Sequence, residues 1–330
     1  MSRPAEVRVA VVGVGAMGRH HAHNYLALPG ADLVALVDPD PEARAAAEAA
    51  FGRPAYEDVA AMLRAQDVDA ASVAAPTSRH HDLAMELLDA GVHVLVEKPA
   101  ASTVADATAL ATRSREAGLV LQVGHITRFF RAVRLLDERV QAPYLVEARR
   151  LTPHARIQDV GVILDLMIHD IDIVLGLVPA PIEQMAIAGH VVGDNGHEDV
   201  AAAQITFADG CVARFLASRV APDAERSLVV AERDRTFRVD FLREPHTEIA
   251  VYRARHGEAG DTHVRSDRQL VQEDNPLRAQ LAHFLARIAD GASPVGTLEE
   301  DLRSLRVAAE LTARLRPAHA PRPLATPRVD

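Results

Sequence analysis

Five short apolar runs alternate with alanine-rich stretches of helical length over the first 123 residues of the chain. The runs are rich in β-branched residues and lie at 7–12, 33–37, 70–74, 92–96 and 119–123. Unbroken apolar strands that alternate with helices are typical of a parallel sheet covered on both faces. The pattern predicts a doubly wound, Rossmann-type α/β domain over residues 1–123.

After about residue 124 the pattern changes to alternating apolar and polar segments with turn residues between several of them. The segments lie at 144–151, 184–192, 200–207, 212–217, 227–231 and 236–241, with helical stretches at 162–177, 276–289 and 298–315. Strands joined by short turns predict an open, mostly antiparallel sheet. We expect a second α/β domain over 124–315 and a flexible, proline-containing tail over 316–330.

Length, charge and cysteine content limit the classes of protein to which this chain can belong. A chain of 330 residues suits two domains, and a net charge of −10 disfavours nucleic acid and anionic membranes as partners. The single cysteine, Cys211, has no second cysteine to pair with, and no apolar run reaches the roughly 20 residues of a membrane span. We expect a cytoplasmic protein with no nucleic-acid or membrane partner.

A Gly-x-Gly-x-x-Gly motif follows the first predicted strand and opens a helix. Gly13 allows the tight turn, Gly15 allows close approach of a pyrophosphate, and Gly18 allows the helix to pack on the strand. Ala16 and Met17 complete the turn at the helix N-terminus, which favours a phosphate charge. The motif and its context predict a dinucleotide site.

Asp38 ends the second predicted strand, 20 residues after the last glycine of the motif. An acid at this distance can bond both ribose hydroxyls and would repel a 2′-phosphate. The next arginine is Arg44, so NAD is favoured over NADP. The alternative is that Asp38 caps the following helix, for which Asp40 is the better candidate.

Lys98 is the single lysine among 36 basic residues, and it follows the strand at 92–96 within Glu97-Lys98-Pro99. Ligands of open α/β sheets bind outside the carboxyl ends of the strands, where Lys98 is expected. A partly desolvated lysine there could share a proton with a substrate hydroxyl. The alternative is a stray surface lysine left by a compositional bias toward arginine.

Asp165, His169 and Asp172 stand at i, i+4 and i+7 of the helix predicted at 162–177, so they would share one face. His169 is the natural acid or base, and carboxylates one turn away would stabilise its charged form. Asp170 lies off this face. A solvated helix face is the alternative interpretation.

The other histidines near the predicted nucleotide edge are His20, His21, His23, His80 and His81. No Cys-x-x-Cys accompanies them, and the adjacent pair His20-His21 points to different helix faces, so no metal site is predicted. His80 or His81 can help to line the cofactor cleft.

Further motifs are Pro76-Thr77 before His80, Val123-Gly124-His125, and Arg128-Phe129. With those above, from residue 7 to about 315, they resemble the glucose-fructose oxidoreductase, inositol dehydrogenase and rhizopine-catabolism family. The resemblance implies a Rossmann domain joined to a C-terminal α/β domain with an open mixed sheet, through which many members form homodimers or homotetramers.

The same resemblance implies roles for matching positions. Lys98 would contact substrate and tune proton transfer, His169 would be the general acid/base, and Asp165 its associated carboxylate. Cofactor contacts are expected at Pro76, Thr77, His80, Glu97 and Lys98, and substrate contacts at His125, Arg156 and the three catalytic positions. The implied reaction is hydride transfer between nicotinamide and a hydroxyl or ketone of a sugar-like substrate.

Residues 156–161 resemble a branch that includes UDP-N-acetylglucosamine 3-dehydrogenases. Arg149, Arg150, His154 and Arg156 offer positive charge that a nucleotide-sugar diphosphate could use, although these side chains could equally be structural. A free sugar or inositol remains open as the substrate. A non-catalytic NAD-binding regulator and a reductase of a non-sugar substrate are the competing functions.

Overall fold

The computed structural model describes residues 6–153, 159–194, 196–242, 246–256, 262–272 and 275–315. Two sheets dominate this part of the chain. The first contains six parallel strands: β1 (Val7–Val12), β2 (Ala31–Val37), β3 (Ala55–Tyr56), β4 (Ala70–Val73), β5 (His93–Val96) and β6 (Leu121–Val123). Their order is β3-β2-β1-β4-β5-β6, which confirms the doubly wound parallel sheet predicted from the apolar runs.

Helices cover both faces of the first sheet. They are α1 (Ala16–Ala27), α2 (Pro41–Phe51), α3 (Val59–Ala65), α4 (Thr77–Asp89) and α5 (Val104–Ala117). Along β1, Val9 and Val11 belong to one buried apolar cluster, and Ala10 and Val12 belong to another. Successive side chains of a strand point to opposite faces, so β1 is buried on both sides and its sequence is an unbroken apolar run.

The second sheet contains eight strands: β7 (Leu145–Leu151), β8 (Ile182–His190), β9 (Val200–Phe207), β10 (Val212–Ser218), β11 (Glu225–Ala231), β12 (Arg235–Asp240), β13 (His246–His256) and β14 (Thr262–Gln272). The order is β14-β13-β12-β11-β7-β10-β9-β8, and only the β7–β10 pairing is parallel. The open, mostly antiparallel sheet is confirmed. The hairpin of β13 and β14, and the short strand β3, were not predicted.

The remaining helices are α6 (Arg131–Arg139), α7 (Ile168–Leu177), α8 (Pro276–Asp290) and α9 (Leu298–Arg314). A 3₁₀ turn at Ile126–Phe129 precedes α6, which was not predicted, and a π-helical turn at Ile163–Met167 leads directly into α7. Alternate inward residues of β7, Val146 and Ala148, join the large core cluster with α7 and α9, while Arg149 on the other face is exposed.

Helix α8 packs on the first sheet, although it follows the second sheet in the chain. Its residues Leu281 and Phe284 lie in the same buried cluster as Val9 and Tyr25. Helix α9 lies between the halves and contacts both α5 and α7. The division at residue 123 stays a prediction, and the tail predicted to be flexible lies outside the described residues. No helix in the described ranges is long and apolar enough to cross a bilayer.

Candidate active site

The glycine motif forms a turn that side chains would block. Gly13 has φ +88°, and a Cβ added to it would lie 2.7 Å from the carbonyl oxygen of Ala74 on the neighbouring strand. A Cβ on Gly18 would lie 1.7 Å from the Gly13 oxygen. Gly15, in contrast, faces open space. The turn therefore has the tight bend, the close helix packing and the free approach that a bound pyrophosphate requires.

Helix α1 begins at this turn without a side-chain cap. Gly15 is its N-cap residue, Ala16 is exposed, and Met17 is partly buried. The first backbone N–H groups of a helix have no intrahelical partner, and a phosphate oxygen can accept from them. The residues present fit a dinucleotide pyrophosphate at this position.

Asp38 lies against the glycine turn. Its Oδ2 accepts from the Val14 N–H at 2.9 Å, and its Oδ1 accepts from the Asp40 N–H at 3.0 Å. Asp40, whose side chain accepts from the Glu42 N–H, caps α2, so the alternative that Asp38 is the cap is wrong. Arg44 donates to the Asp38 and Pro39 carbonyl oxygens, which holds its guanidinium next to Asp38.

Lys98 contacts the segment that leads into α7. Its Nζ donates to the backbone oxygen of Asp165 at 2.7 Å and to the carboxylate Oδ1 at 3.0 Å. Both side chains are largely buried, with 11% and 12% of their surfaces exposed. The end of β5 and the start of the α7 segment therefore meet, so Lys98 is not a stray surface residue.

The π-helical turn changes the geometry that the spacing predicted. A π turn holds more residues than an α turn, so the angles between positions across it differ from those of a regular α-helix. Asp165 lies within the turn, whereas His169 and Asp172 lie in the α-helix that follows. That all three residues share one face stays a prediction, while the structure gives Asp165 and Asp172 different basic partners, Lys98 and Arg128.

His169 stands beside Lys98 with its ring partly exposed. The charges that act on the ring include Lys98, Arg150 and Arg226, and it makes no hydrogen bond to the described residues. Burial, reinforced by these positive charges, lowers its pKa well below 6.5. The expectation that nearby carboxylates favour the charged form is wrong, because Asp165 is held by Lys98 and Asp172 by Arg128. We call Lys98, Asp165 and His169 the cleft cluster.

His169 is thus a neutral base candidate. Its Nδ1 is buried without a hydrogen-bond partner, so Nε2 is the better candidate for contact with a ligand. A neutral imidazole accepts a proton, and an ammonium group next to it can donate a hydrogen bond to the same oxygen. The arrangement can bind a hydroxyl and remove its proton.

A second charged group forms around Asp172 of α7. Arg128 donates to both oxygens of Asp172, at 2.8 and 2.6 Å, and its Nη1 lies 2.8 Å from Asp301 Oδ1. Ser304 also donates to Asp172 at 2.8 Å. We call Arg128, Asp172, Asp301 and Ser304 the interior cluster. Burial raises the pKa of Asp301 to about 7.

The first two turns of α9 carry two members of the interior cluster. Thr297 accepts from the Glu300 N–H, and the Glu300 carboxylate accepts from the Thr297 N–H, which is a capping box. The box fixes where α9 begins. Asp301 and Ser304 consequently point from its first turns toward Arg128 and Asp172.

His125 lies between the two clusters and is 2% exposed. Its Nδ1 is 3.6 Å from Asp172 Oδ2 and its Nε2 is 3.8 Å from Asp301 Oδ1. Burial lowers its pKa to about 4 despite these carboxylates. The substrate contact implied for His125 stays a prediction, and in this structure the ring faces protein carboxylates.

Glu97 is held by a residue whose role the sequence left open. The Glu97 Oε1 is 3.0 Å from Nε2 of His21, which is fully buried in α1, and the carboxylate lies so close to Gly124 that a Cβ there would clash. Burial opposes ionisation of Glu97, but His21 and Lys98 outweigh it and lower the pKa. His20 and His23 are exposed. The signal that could have singled out His21 is its place on the inward face of α1.

The predicted cofactor residues of α4 differ in exposure. Pro76 is the exposed N-cap residue, while Thr77 and His80 are buried. The ring nitrogens of His80 lie 2.8 Å from the carbonyl oxygens of Pro99 and Ala75. His80 therefore ties together the two segments that border the cleft, and the cofactor contacts implied for all three residues stay predictions.

The arginines considered for a diphosphate have carboxylate partners where they are described. Arg149 is exposed and lies 2.9 Å from Glu225, and Arg150 is buried and donates to both oxygens of Asp170. Asp170, set aside in the spacing argument, is thus a structural partner. His154 and Arg156 lie outside the described residues. No cluster of three or more metal-ligating side chains occurs among the described residues.

Comparisons with known proteins agree with this geometry. A model of the oxidoreductase family with an NAD-binding Rossmann fold matches residues 7–125, and a GFO/IDH/MocA C-terminal domain model matches residues 132–240. The chain is 36% identical, over 86% of its length and 89% of the relative's, to UDP-N-acetylglucosamine 3-dehydrogenase of Acidithiobacillus ferrooxidans. It is 27% identical to scyllo-inositol 2-dehydrogenase (NAD(+)) of Bacillus subtilis, over 88% of its length and 89% of that chain.

A solved structure of the Acidithiobacillus ferrooxidans enzyme superposes with a TM-score of 0.84 at 32% identity, covering 94% of this chain and 98% of that one. Family models cover more than half of the chain, in two consecutive domains, and the glycine turn and the Lys98 edge lie within the first. The chain belongs to the GFO/IDH/MocA oxidoreductase family, and it is an NAD(P)-dependent dehydrogenase.

Proposed function

We propose that this enzyme oxidises a secondary hydroxyl of a sugar-like substrate with NAD, using the cleft cluster. The observation that carries the proposal is the contact of Lys98 Nζ with Asp165, which brings the carboxyl edge of the first sheet against the segment that holds His169. Ligands of open α/β sheets bind at that edge. The proposal also rests on the neutral state of the His169 ring.

The side chains have separate tasks in the proposed reaction. His169 Nε2 accepts the proton of the substrate hydroxyl, and Lys98 Nζ donates a hydrogen bond to the same oxygen. Asp165 balances the charge of Lys98 and holds its position. A bound nicotinamide supplies the hydride acceptor at C4. In the reverse direction the protonated His169 returns the proton to the ketone oxygen.

For the cofactor we propose NAD over NADP because Asp38 presents a carboxylate at the glycine turn. Replacing Asp38 with serine should lower kcat/KM with NAD roughly 10- to 100-fold, the range expected for losing hydrogen bonds to a charged group. The same change should raise activity with NADP, since Arg44 already lies beside this position. A strong wild-type preference for NADPH would contradict the assignment.

For the substrate we propose a nucleotide sugar such as UDP-N-acetylglucosamine, oxidised at C3. The support is the 36% identity to the enzyme of that name over most of both chains, and the TM-score of 0.84 with its structure. A free inositol is the second candidate, because the Bacillus subtilis relative matches over almost the same length.

For assembly we propose a homodimer or homotetramer formed through the outer face of the second sheet, in the cytosol. That face holds an open groove of about 600 Å³ whose lining mixes apolar residues, such as Ile187 and Leu216, with Arg214 and Arg238. Light scattering on the eluting protein measures the assembly, and a monomer at micromolar concentration contradicts it.

The deciding experiment is a substrate panel with NAD, followed by absorbance of NADH. UDP-N-acetylglucosamine, N-acetylglucosamine, scyllo-inositol and myo-inositol should be compared with a bile pigment and an imine assayed with NADH. Turnover of a sugar or polyol that is lost in Lys98→Met supports the proposal. Cofactor binding without turnover of any member would favour the non-catalytic regulator instead.

A further inference from the structure

Arg226 is a partly buried arginine next to the cleft cluster, and its guanidinium has no hydrogen bond or ion pair within the described residues. It lies on β11, where it stands opposite Arg150 of β7 in the antiparallel ladder. Residues directly opposite one another on such a ladder point to the same face, and like charges there are unfavourable. Arg226 is also one of the charges that act on His169.

Nearby buried arginines are arranged differently. Arg128 meets Asp172 and Asp301, Arg150 meets Asp170, and Arg219 meets Asp199. A guanidinium removed from water is costly unless a carboxylate compensates it. Burial and the charge of Arg150 lower the pKa of Arg226 to about 10, so it still carries its proton at neutral pH.

The described cations around the cleft differ in whether a carboxylate contacts them. Lys98 is compensated by Asp165, and Arg150 is compensated by Asp170. His169 is neutral. Among the described residues of the cleft, Arg226 is the cation that no carboxylate contacts, and a partly dehydrated, unpaired cation beside a ligand site favours an anion there.

We propose that Arg226 binds an anionic group of the substrate, a phosphate or a carboxylate, and so sets the enzyme's preference for charged sugars. The proposal rests on the proposed function, because it places the sugar ring between His169 and β11. A guanidinium binds either group through two parallel hydrogen bonds. It replaces Arg149 and Arg150 as the candidate for a diphosphate, since both already hold carboxylates.

A binding measurement tests this without turnover. Calorimetry with NAD-saturated protein should compare UDP, as the phosphate probe, with glucuronate, as the carboxylate probe. Arg226→Ala should weaken the probe that wild type binds by roughly 10- to 100-fold, and Arg226→Lys by less, since one charge-assisted contact survives. Arg233→Ala, at an exposed position in the β11–β12 turn, is the matched control and should bind like wild type.

Kinetics separate a specific contact from a loss of structure. At about pH 8, where the His169 base is unprotonated in both proteins, Arg226→Ala should raise KM for UDP-N-acetylglucosamine while kcat/KM for neutral N-acetylglucosamine stays within about twofold. The affinity for NAD should not change, and Arg226→Gln replaces the alanine variant if that one does not fold. Wild type that binds neither probe, or Arg226→Ala that binds both as wild type does, overturns the proposal. Absence of any sugar turnover would refute the proposed function, while the calorimetry still decides on Arg226.

Discussion

The cleft cluster and the interior cluster each pair a basic side chain with an aspartate of one helical segment, yet they differ in how their partners are matched. In the interior, Arg128 is matched by Asp172 and Asp301, and Ser304 donates to one of the same oxygens. In the cleft, Lys98 has Asp165, while His169 makes no hydrogen bond to the described residues. Completed pairing is typical of structure, and a functional group left unpaired is typical of a ligand site.

This difference suggests opposite consequences of mutation. A group whose partners are all protein atoms contributes mainly to folding, because its removal leaves a buried charge uncompensated. A group left free for a ligand contributes mainly to turnover. The two clusters lie close together, with His125 between them, so the contrast can be measured in one protein fold.

The largest effect is expected at His169. His169→Ala should reduce kcat for substrate oxidation by about 10²- to 10⁴-fold, because a positioned base is lost, while the urea midpoint changes little. His190→Ala, an exposed histidine at the end of β8, is the matched control. Near-wild-type turnover of His169→Ala would remove the base from the proposed reaction and with it the contrast between the clusters.

In the interior cluster, a mutation should lower the free energy of unfolding rather than kcat. Asp172→Ala leaves Arg128 with one carboxylate, and breaking a buried ion pair costs about 3–5 kcal/mol. Urea denaturation measures the change. Asp172→Asn keeps the shape and should cost less. Wild-type stability of the alanine variant would mean that the interior cluster does not hold the fold.

Ser304→Ala tests the same comparison with a smaller expected change in the free energy of unfolding. It removes a hydroxyl that donates to Asp172 at 2.8 Å, and a hydrogen bond to a charged group contributes roughly 1.5–3 kcal/mol. The urea midpoint should fall while kcat stays unchanged. A drop in kcat with unchanged stability would show that the interior cluster takes part in the reaction.

The sequence predicted the first domain well because its alternation of apolar runs and helical stretches fits one architecture, a parallel sheet covered on both faces. Strands buried on both faces must be apolar throughout, and Gly13 and Gly18 are required by backbone contacts that exclude any side chain. Lys98 was found through its position at a strand end. The apolar runs, the spacing of the glycines and the strand end before Lys98 can each be recognised in a short stretch of sequence.

The second domain and the pairing of charged side chains were harder to predict from the sequence. The hairpin of β13 and β14 carries many charged residues, such as Arg265 and Asp267, and has no clear apolar alternation to reveal it. The spacing gave no sign of the π turn before α7, and the partner of each carboxylate came from distant segments, as with Asp170 and Arg150. Partner choice depends on the tertiary fold, which helical spacing does not report.

The smallest effect lies in the pH profile of kcat/KM for oxidation, where the base must be unprotonated. An ordinary histidine with a pKa of about 6.5 would lose half of its activity at that pH. Because burial and the charges of Lys98, Arg150 and Arg226 lower the pKa of His169, the fall should begin only below pH 6.5. Removing one of those charges, as in Arg226→Ala, should move the fall toward higher pH. An acidic limb at or above pH 6.5 in wild type would show that His169 is more solvated than its surroundings indicate, or that another group is the base.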